Sequence, residues 1–335
     1  MRLSYCLIAL LLNCFVTQAS SPNTLYAYLD TRYSNLDTNK YDFIVAQDGS
    51  GNFKTVQEAL NAVPDFRKVT TTIFIKNGTY KEKLNLSASK QMVTLIGETV
   101  EKTILTYDDY SKKKNIFGEE KGTSGSSSFY VYGPQFTAEN ITFQNTSGPV
   151  GQAVALFVAG DKARFINCRM LGFQDTLYTY GYGSRQYYYK CYIEGTVDFI
   201  FGSSTAVFDQ CEIFGKTAGY YTAASTPDST KYGYVFLDSK IHGNAPEASF
   251  YLGRPWRPFA KTVFINCDLS HQVKPEGWHN WNKPDAEKTS FYAEYRSKGA
   301  GANDKSRVKW AHQLTEKEVN ENFTLEKIFN GWKPN

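Results

Sequence analysis

The sequence predicts an all-β parallel β-helix, a solenoid with one coil per repeat, and three observations carry that expectation. Short β-prone runs return every 20 to 30 residues between about Ile73 and Ser270. No amphipathic helix separates them. Tight hairpin turns are also missing: the one Asn-Gly pair in this span, Asn77-Gly78, runs into TYKEKLNL without an evident partner strand. An antiparallel sandwich has strands of similar length but needs such turns between them.

From the N-terminus, MRLSYCLIALLLNCFVTQASS places an apolar run after Arg2 and small residues at cleavage spacing, so residues 1–19 read as a secretory signal and residues 20–335 as one domain. In FKTVQEALNAVP, the residues Phe53, Val56, Ala59, Leu60 and Val63 share one helical face and Pro64 ends it. This helix is expected to cover the open end of the solenoid, where unpaired strand edges need a lid. The repeats follow as AENITFQNTSG, RFINCRMLGF, YYKCYIEGTV, VFDQCEIFGK, VFLDSKIHGN and VFINCDLSHQ. Aligning Ile141, Cys168, Cys191, Cys211, Ser239 and Cys267 gives spacings of 27, 23, 20, 28 and 28 residues. At the far end, TEKEVNENFTLEKIFNGW reads as a helical segment packed along the outside.

The net charge of +4 and pI near 8.5 favour a polyanionic partner over a basic one. Apart from SKKKN at Ser111 to Asn115, read as a solvated loop, the positive charge is scattered, which argues against nucleic acid. No stretch reaches the roughly 18 apolar residues of a membrane span. With the signal removed, the protein is expected to be secreted and soluble. Cys6 and Cys14 leave with the signal, so Cys168, Cys191, Cys211 and Cys267 meet an oxidising compartment. Cys191 and Cys211 hold one repeat position on successive coils and are expected to form a disulfide. Cys168–Cys191 is the alternative, and Cys267 is read as a free thiol. Asn77, Asn85, Asn140, Asn145 and Asn322 open glycosylation sequons.

In EGTVDFIFGSS, Asp198 sits among Val197, Phe199, Ile200 and Phe201, where an ionised carboxylate is costly unless paired or reactive. Asp175 lies seven residues after Cys168 and Asp198 seven after Cys191, so the register stacks the two aspartates on neighbouring coils about 4.7–4.9 Å apart. Two carboxylates at that distance do not ionise together easily; one pKa rises and the other stays low, giving a proton donor beside an anionic nucleophile. Gln174, next to Asp175, and Gln152, one coil earlier, offer amide donors for an oxyanion. Arg254 in YLGRPWRP is the natural counter-ion for Asp198, and Trp256 offers a flat face to a sugar ring. No Gly-X-Ser-X-Gly elbow and no His-Glu-X-X-His appear, so a serine-triad hydrolase or a zinc enzyme is not expected.

NGTYKEKL, GQAVALF, GFQDTLYT, VDFIFG, YLGRPW and GWHNW, in that order, resemble the motifs of the pectin methylesterases. The resemblance implies a right-handed parallel β-helix that hydrolyses methyl esters of galacturonate units in pectin, as a monomer and without a cofactor or metal. It implies Asp198 as nucleophile, Asp175 as acid and then base, Gln152 and Gln174 at the oxyanion, Arg254 on Asp198, and Tyr178, Phe201 and Trp256 along the sugar groove. The long charged loop YDDYSKKKNIFGEEKGTSGSS is expected to wall that groove in its own way. Two competing readings are a glycoside hydrolase on the same fold, since retaining glycosidases hold carboxylates about 5–5.5 Å apart, and a catalytically silent polysaccharide binder.

Overall fold

The computed structural model describes residues 40–334. The expected signal peptide, the expected domain start at residue 20, and Cys6 and Cys14 lie outside them. Strands pair in parallel throughout three sheets of eleven, eight and seven strands. Seven coils each contribute one strand to each sheet in turn, and strands at the two ends extend the two larger sheets. One coil, for instance, runs through Ala163–Ile166, Arg169–Leu171 and Leu177–Thr179, and the next through Arg185–Tyr189, Tyr192–Gly195 and Ile200–Gly202. This is a parallel β-helix, and right-handed crossovers are the general rule for parallel strands.

The repeat motif has a simple cause. Where the chain turns from the eleven- to the eight-stranded sheet, one residue adopts the left-handed conformation: Asn140, Asn167, Lys190, Gln210, Asp238 and Asn266, with φ between 46° and 56°. Left-handed backbone is disfavoured for most L-residues but tolerated by Asn and Asp. The residue after each is the aligned Ile141, Cys168, Cys191, Cys211, Ser239 or Cys267, and all six are buried. Strand register agrees with the alignment, Arg169 pairing with Thr142 and Tyr192, and Glu212 with Tyr192 and Lys240. Inside, Phe165, Tyr188, Phe208, Phe236 and Phe264 stack coil upon coil with ring centroids 4.4–4.9 Å apart.

The cysteine column corrects one expectation. Cys168, Cys191, Cys211 and Cys267 are buried free thiols; Cys191 and Cys211 are stacked but not bonded. Coils related by translation keep stacked Cβ atoms as far apart as the strands, about 4.7–4.9 Å, beyond the roughly 3.5–4.5 Å that a disulfide bridges. Each thiol donates instead to a carbonyl, Cys191 Sγ to Phe165 O at 3.4 Å and Cys211 Sγ to Tyr188 O at 3.3 Å. Burial pushes the Cys168 and Cys191 thiols well above their ordinary range.

A helix spans Val56–Ala62, capped by Thr55 and Glu58 acting reciprocally, with the Glu82 carboxylate accepting from Val56 N and Gln57 N. It packs against Phe43–Val45 and Leu84–Leu86, each at the edge of its sheet, and buries Val56, Ala59 and Leu60. At the C-terminus, Glu316–Asn322 and Leu325–Ile328 are helical. Ile328 and Phe329 are buried against Tyr187, Val207, Val235 and Val263, which alternate with the inward aromatic column and so cover the outside of the eleven-stranded sheet. Among the sequons, Asn145 is unfit for a glycan: it is buried, and its amide donates to Asp109 O, Ser126 O and Val154 O. No helix of the described residues is long and apolar enough to cross a membrane.

Candidate active site

Leu177 pairs with Ile200, so Asp175 and Asp198, two residues before each strand, occupy the same place on adjacent coils. Both take left-handed backbone, φ 63° and 53°, which swings them out of the pleat at the corner leading into the seven-stranded sheet. Backbone bonds fix the corner, Asp175 N donating to Val197 O at 3.1 Å and Leu177 N to Phe199 O at 2.8 Å. Gly202, closing VDFIFG, has φ 127°, and a Cβ there would meet Thr179 O at 1.9 Å. Only glycine fits that approach.

The carboxylates are nearly excluded from solvent, Asp175 at 7% and Asp198 at 6% exposure, but their surroundings differ. Arg254, two coils on, forks Asp198 through Nε at 2.8 Å and Nη2 at 2.7 Å. Its guanidinium lies flat between two rings, 3.8 Å from the Tyr220 centroid and 3.7 Å from that of Trp281. Behind this sandwich His279 Nδ1 accepts from Trp281 N at 3.3 Å and meets the Tyr220 hydroxyl at 3.4 Å. A stacked, forked arginine keeps its orientation in a way a lysine could not.

Burial pushes the Asp175 carboxyl well above the usual carboxylate range; the charge of Asp198 adds to the rise, and Arg254 opposes it. Burial raises Asp198 too, but the hydrogen bonds and charge of Arg254, helped by Lys283, pull it back. The expectation of one raised and one low carboxyl is therefore corrected: desolvation raises both, and the fork makes Asp198 the more acidic. The proton of a singly protonated pair resides on Asp175.

The two acids open into a cleft of about 490 Å³ lined also by Gln152, Gln174, Tyr178, Phe201, Arg254 and Trp256. All eight site residues expected from the sequence thus meet in one place, while Cys191 and Cys211 lie in the core. Tyr178 stacks on Phe201 at 4.2 Å, and Trp256 lies edge-on to Tyr178 at 6.2 Å and tilted to Phe201 at 5.8 Å. Sequence reasoning missed the part played by Trp281, although GWHNW contains it, and by Tyr220 and His279.

The charged loop does reach the cleft wall as expected, through Lys121, Thr123 and Ser124. That loop is tied down by buried Asp109, on which Lys83 and Lys121 converge at 2.5 Å and Lys113 at 3.0 Å. Burial works against ionisation of Asp109, yet the three lysines hold its carboxyl down to about 2. The KKK run lies on a solvated loop as expected, Lys112 and Lys114 being exposed, and Lys113 adds a tether to Asp109.

The Pectinesterase family model matches residues 42–332. Pectinesterase 31 of Arabidopsis thaliana is 40% identical over 283 residues, covering 82% of this chain and 88% of that protein. A pectinesterase/pectinesterase inhibitor of Prunus persica is 38% identical over 323 residues, 91% of this chain, which spans only 60% of that longer protein. Among solved structures, pectin methylesterase from carrot superposes with a TM-score of 0.80 at 34% identity, covering 87% of this chain and 93% of the other. A pectin methylesterase in complex with a hexasaccharide gives 0.76 at 29%, covering 88% and 98%.

Proposed function

The chain belongs to the pectinesterase family and is a carboxylic ester hydrolase, and from that premise we propose that it is a secreted enzyme that demethylates pectin with Asp198 as nucleophile and Asp175 as acid and base. The observation that carries this reading is the asymmetry of the pair: two buried carboxyls share one register position and one cleft, and only Asp198 has a cation on it. A forked, anionic Asp198 next to a protonated Asp175 is the arrangement a two-step acyl transfer needs.

In the first step an Asp198 oxygen attacks the ester carbonyl carbon. Charge gathers on the carbonyl oxygen, where the Gln152 and Gln174 amides donate to it. Collapse breaks the bond to the methoxy oxygen, Asp175 gives that oxygen its proton, and methanol leaves an acyl-Asp198 anhydride. Asp175, now ionised, takes a proton from water as the water attacks the substrate acyl carbon. Asp198 departs as carboxylate, Asp175 is protonated again, and the polymer retains an acid. Arg254 meanwhile keeps the attacking carboxylate charged and aimed. Every group in this scheme comes from one chain, which supports action as a monomer, and the leader-like residues 1–19 support secretion.

Methanol release from highly methylated pectin without new reducing ends is the expected result. New reducing ends without methanol would mean glycoside hydrolysis, and pectin binding without either product would mean a silent binder.

A further inference from the structure

The two acids are held in different ways. Asp198 has Arg254 on its carboxylate, whereas Asp175 and the amide donor Gln174 sit in the connection of residues 172–176, between the strands Arg169–Leu171 and Leu177–Thr179. Neither lies in a strand. Two side chains on such a connection keep a reactive placement only if the backbone that carries them is anchored.

One anchor comes from far along the chain. Lys216 starts two coils on, its backbone N donating to Gly195 O at 2.9 Å, and its side chain reaches back to the first residues of the connection. The ammonium donates to Gly172 O at 3.2 Å and lies 3.8 Å from the centroid of the Phe173 ring. Glu194, on the coil between, accepts from it at 2.9 Å, and Tyr192 donates to the other carboxylate oxygen at 3.0 Å. The Lys216 and Glu194 side chains are 24% and 18% exposed, so water screens this pair less than an open surface pair. The Phe173 carbonyl is held as well, by Thr196 N at 2.9 Å and Thr176 Oγ1 at 3.1 Å. Gln174 and Asp175 are the next two residues. A lysine that served the sheet surface alone would need only Glu194; the added carbonyl and ring face make it a clamp on the corner.

We propose that Lys216 is a positioning residue for the ester hydrolysis: by clamping Gly172 and Phe173 it sets the Gln174 amide and the Asp175 proton against the ester. This rests on the pectin reading. Both groups act as the carbonyl gains charge and methanol leaves, so the clamp governs turnover and leaves the affinity for pectin alone.

Lys216→Met keeps the stem and removes the charge. Its kcat for methanol release from methylated pectin should fall about tenfold to hundredfold, the loss expected from a misplacement of about 1 Å, with KM and the acid limb of the pH profile unmoved. Lys216→Arg, which keeps a cation over the ring, should recover most of the rate. In the same Met variant the Thr196 and Asp175 amides should exchange hydrogen about tenfold faster, while those of the eleven-stranded sheet keep their rates. An unchanged kcat overturns the proposal even where the melting temperature falls, since the lysine would then serve stability alone. A shifted KM or acid limb, an equal loss in Lys216→Arg, or faster exchange across the eleven-stranded sheet overturns it too. If the wild type releases no methanol, the esterase reading fails separately. Exchange then decides alone: local acceleration in Lys216→Met supports the clamp, and unchanged rates at Thr196 and Asp175 overturn it.

Discussion

Among the described residues, arginine forks a buried carboxylate twice, and the two pairs have different surroundings. Arg307 reaches Glu294 through Nε at 2.6 Å and Nη2 at 3.2 Å, with side chains only 3% and 4% exposed. Its remaining donors go to the carbonyls of Gly301, Lys274 and Pro275, so every strong direction is taken by protein. Arg254 makes the same fork to Asp198, but its faces rest on aromatic rings and its carboxylate borders a cleft and a second buried acid. The comparison teaches that burial and fork geometry do not by themselves mark a functional ion pair. The mark is an acid beside the pair that has no cation of its own.

The largest expected effect separates the two forks outright. Asp198→Asn keeps the shape and removes the charge, so methanol release should fall by about 10³-fold or more with the fold retained. Glu294→Gln leaves Arg307 buried without its counter-charge and should destabilise by about 3–5 kcal/mol, while the folded fraction turns over normally. Thermal melts beside initial rates read both; if Asp198→Asn keeps more than a few per cent of activity, that residue is not the nucleophile.

Next in size is a shift in the pH profile. Activity that needs ionised Asp198 is lost as pH falls through its pKa, which burial raises and Arg254 restrains. Arg254→Gln should therefore move the acid limb upward and lower the maximum rate. An acid limb that stays put would assign Arg254 to substrate or fold.

The smallest effect concerns stability. The Asp175 carboxyl is raised in the fold by burial first and by Asp198 second, so its contribution is fully present below the unfolded carboxyl pKa and is lost as pH rises through the folded one. Asparagine has no such ionisation. Asp175→Asn should thus gain in melting temperature over wild type as pH rises, whereas a constant difference at all pH values would mean that Asp175 does not remain the protonated partner.

What was legible in the sequence follows from translation along the solenoid. Aligning the polar corner and the buried residue after it recovers the register from Ile141 to Cys267, and that register sets Asp175 over Asp198 before any side-chain geometry is known. Chemistry that depends on separation in three dimensions was not legible. The missing disulfide turns on Cβ spacing within a column that sequence places correctly. The raised Asp198 reflects desolvation, which no linear neighbour reports. The Tyr220–Arg254–Trp281 sandwich and the Lys83–Asp109 pair join segments at least 26 residues apart, with no repeat to relate them.

The corner that carries the two acids has a mechanical consequence. Their separation is set by the pitch of hydrogen-bonded strands, about 4.7–4.9 Å, among the least compressible lengths in a protein. The coil behaves as a ruler whose graduations are peptide bonds, and the gap between Asp175 and Asp198 is one graduation wide. Loops can lengthen and whole turns can be added at either end without altering that interval. Slipping one strand by a single residue would abolish it, because the side chain at that mark would then face the other side of the sheet.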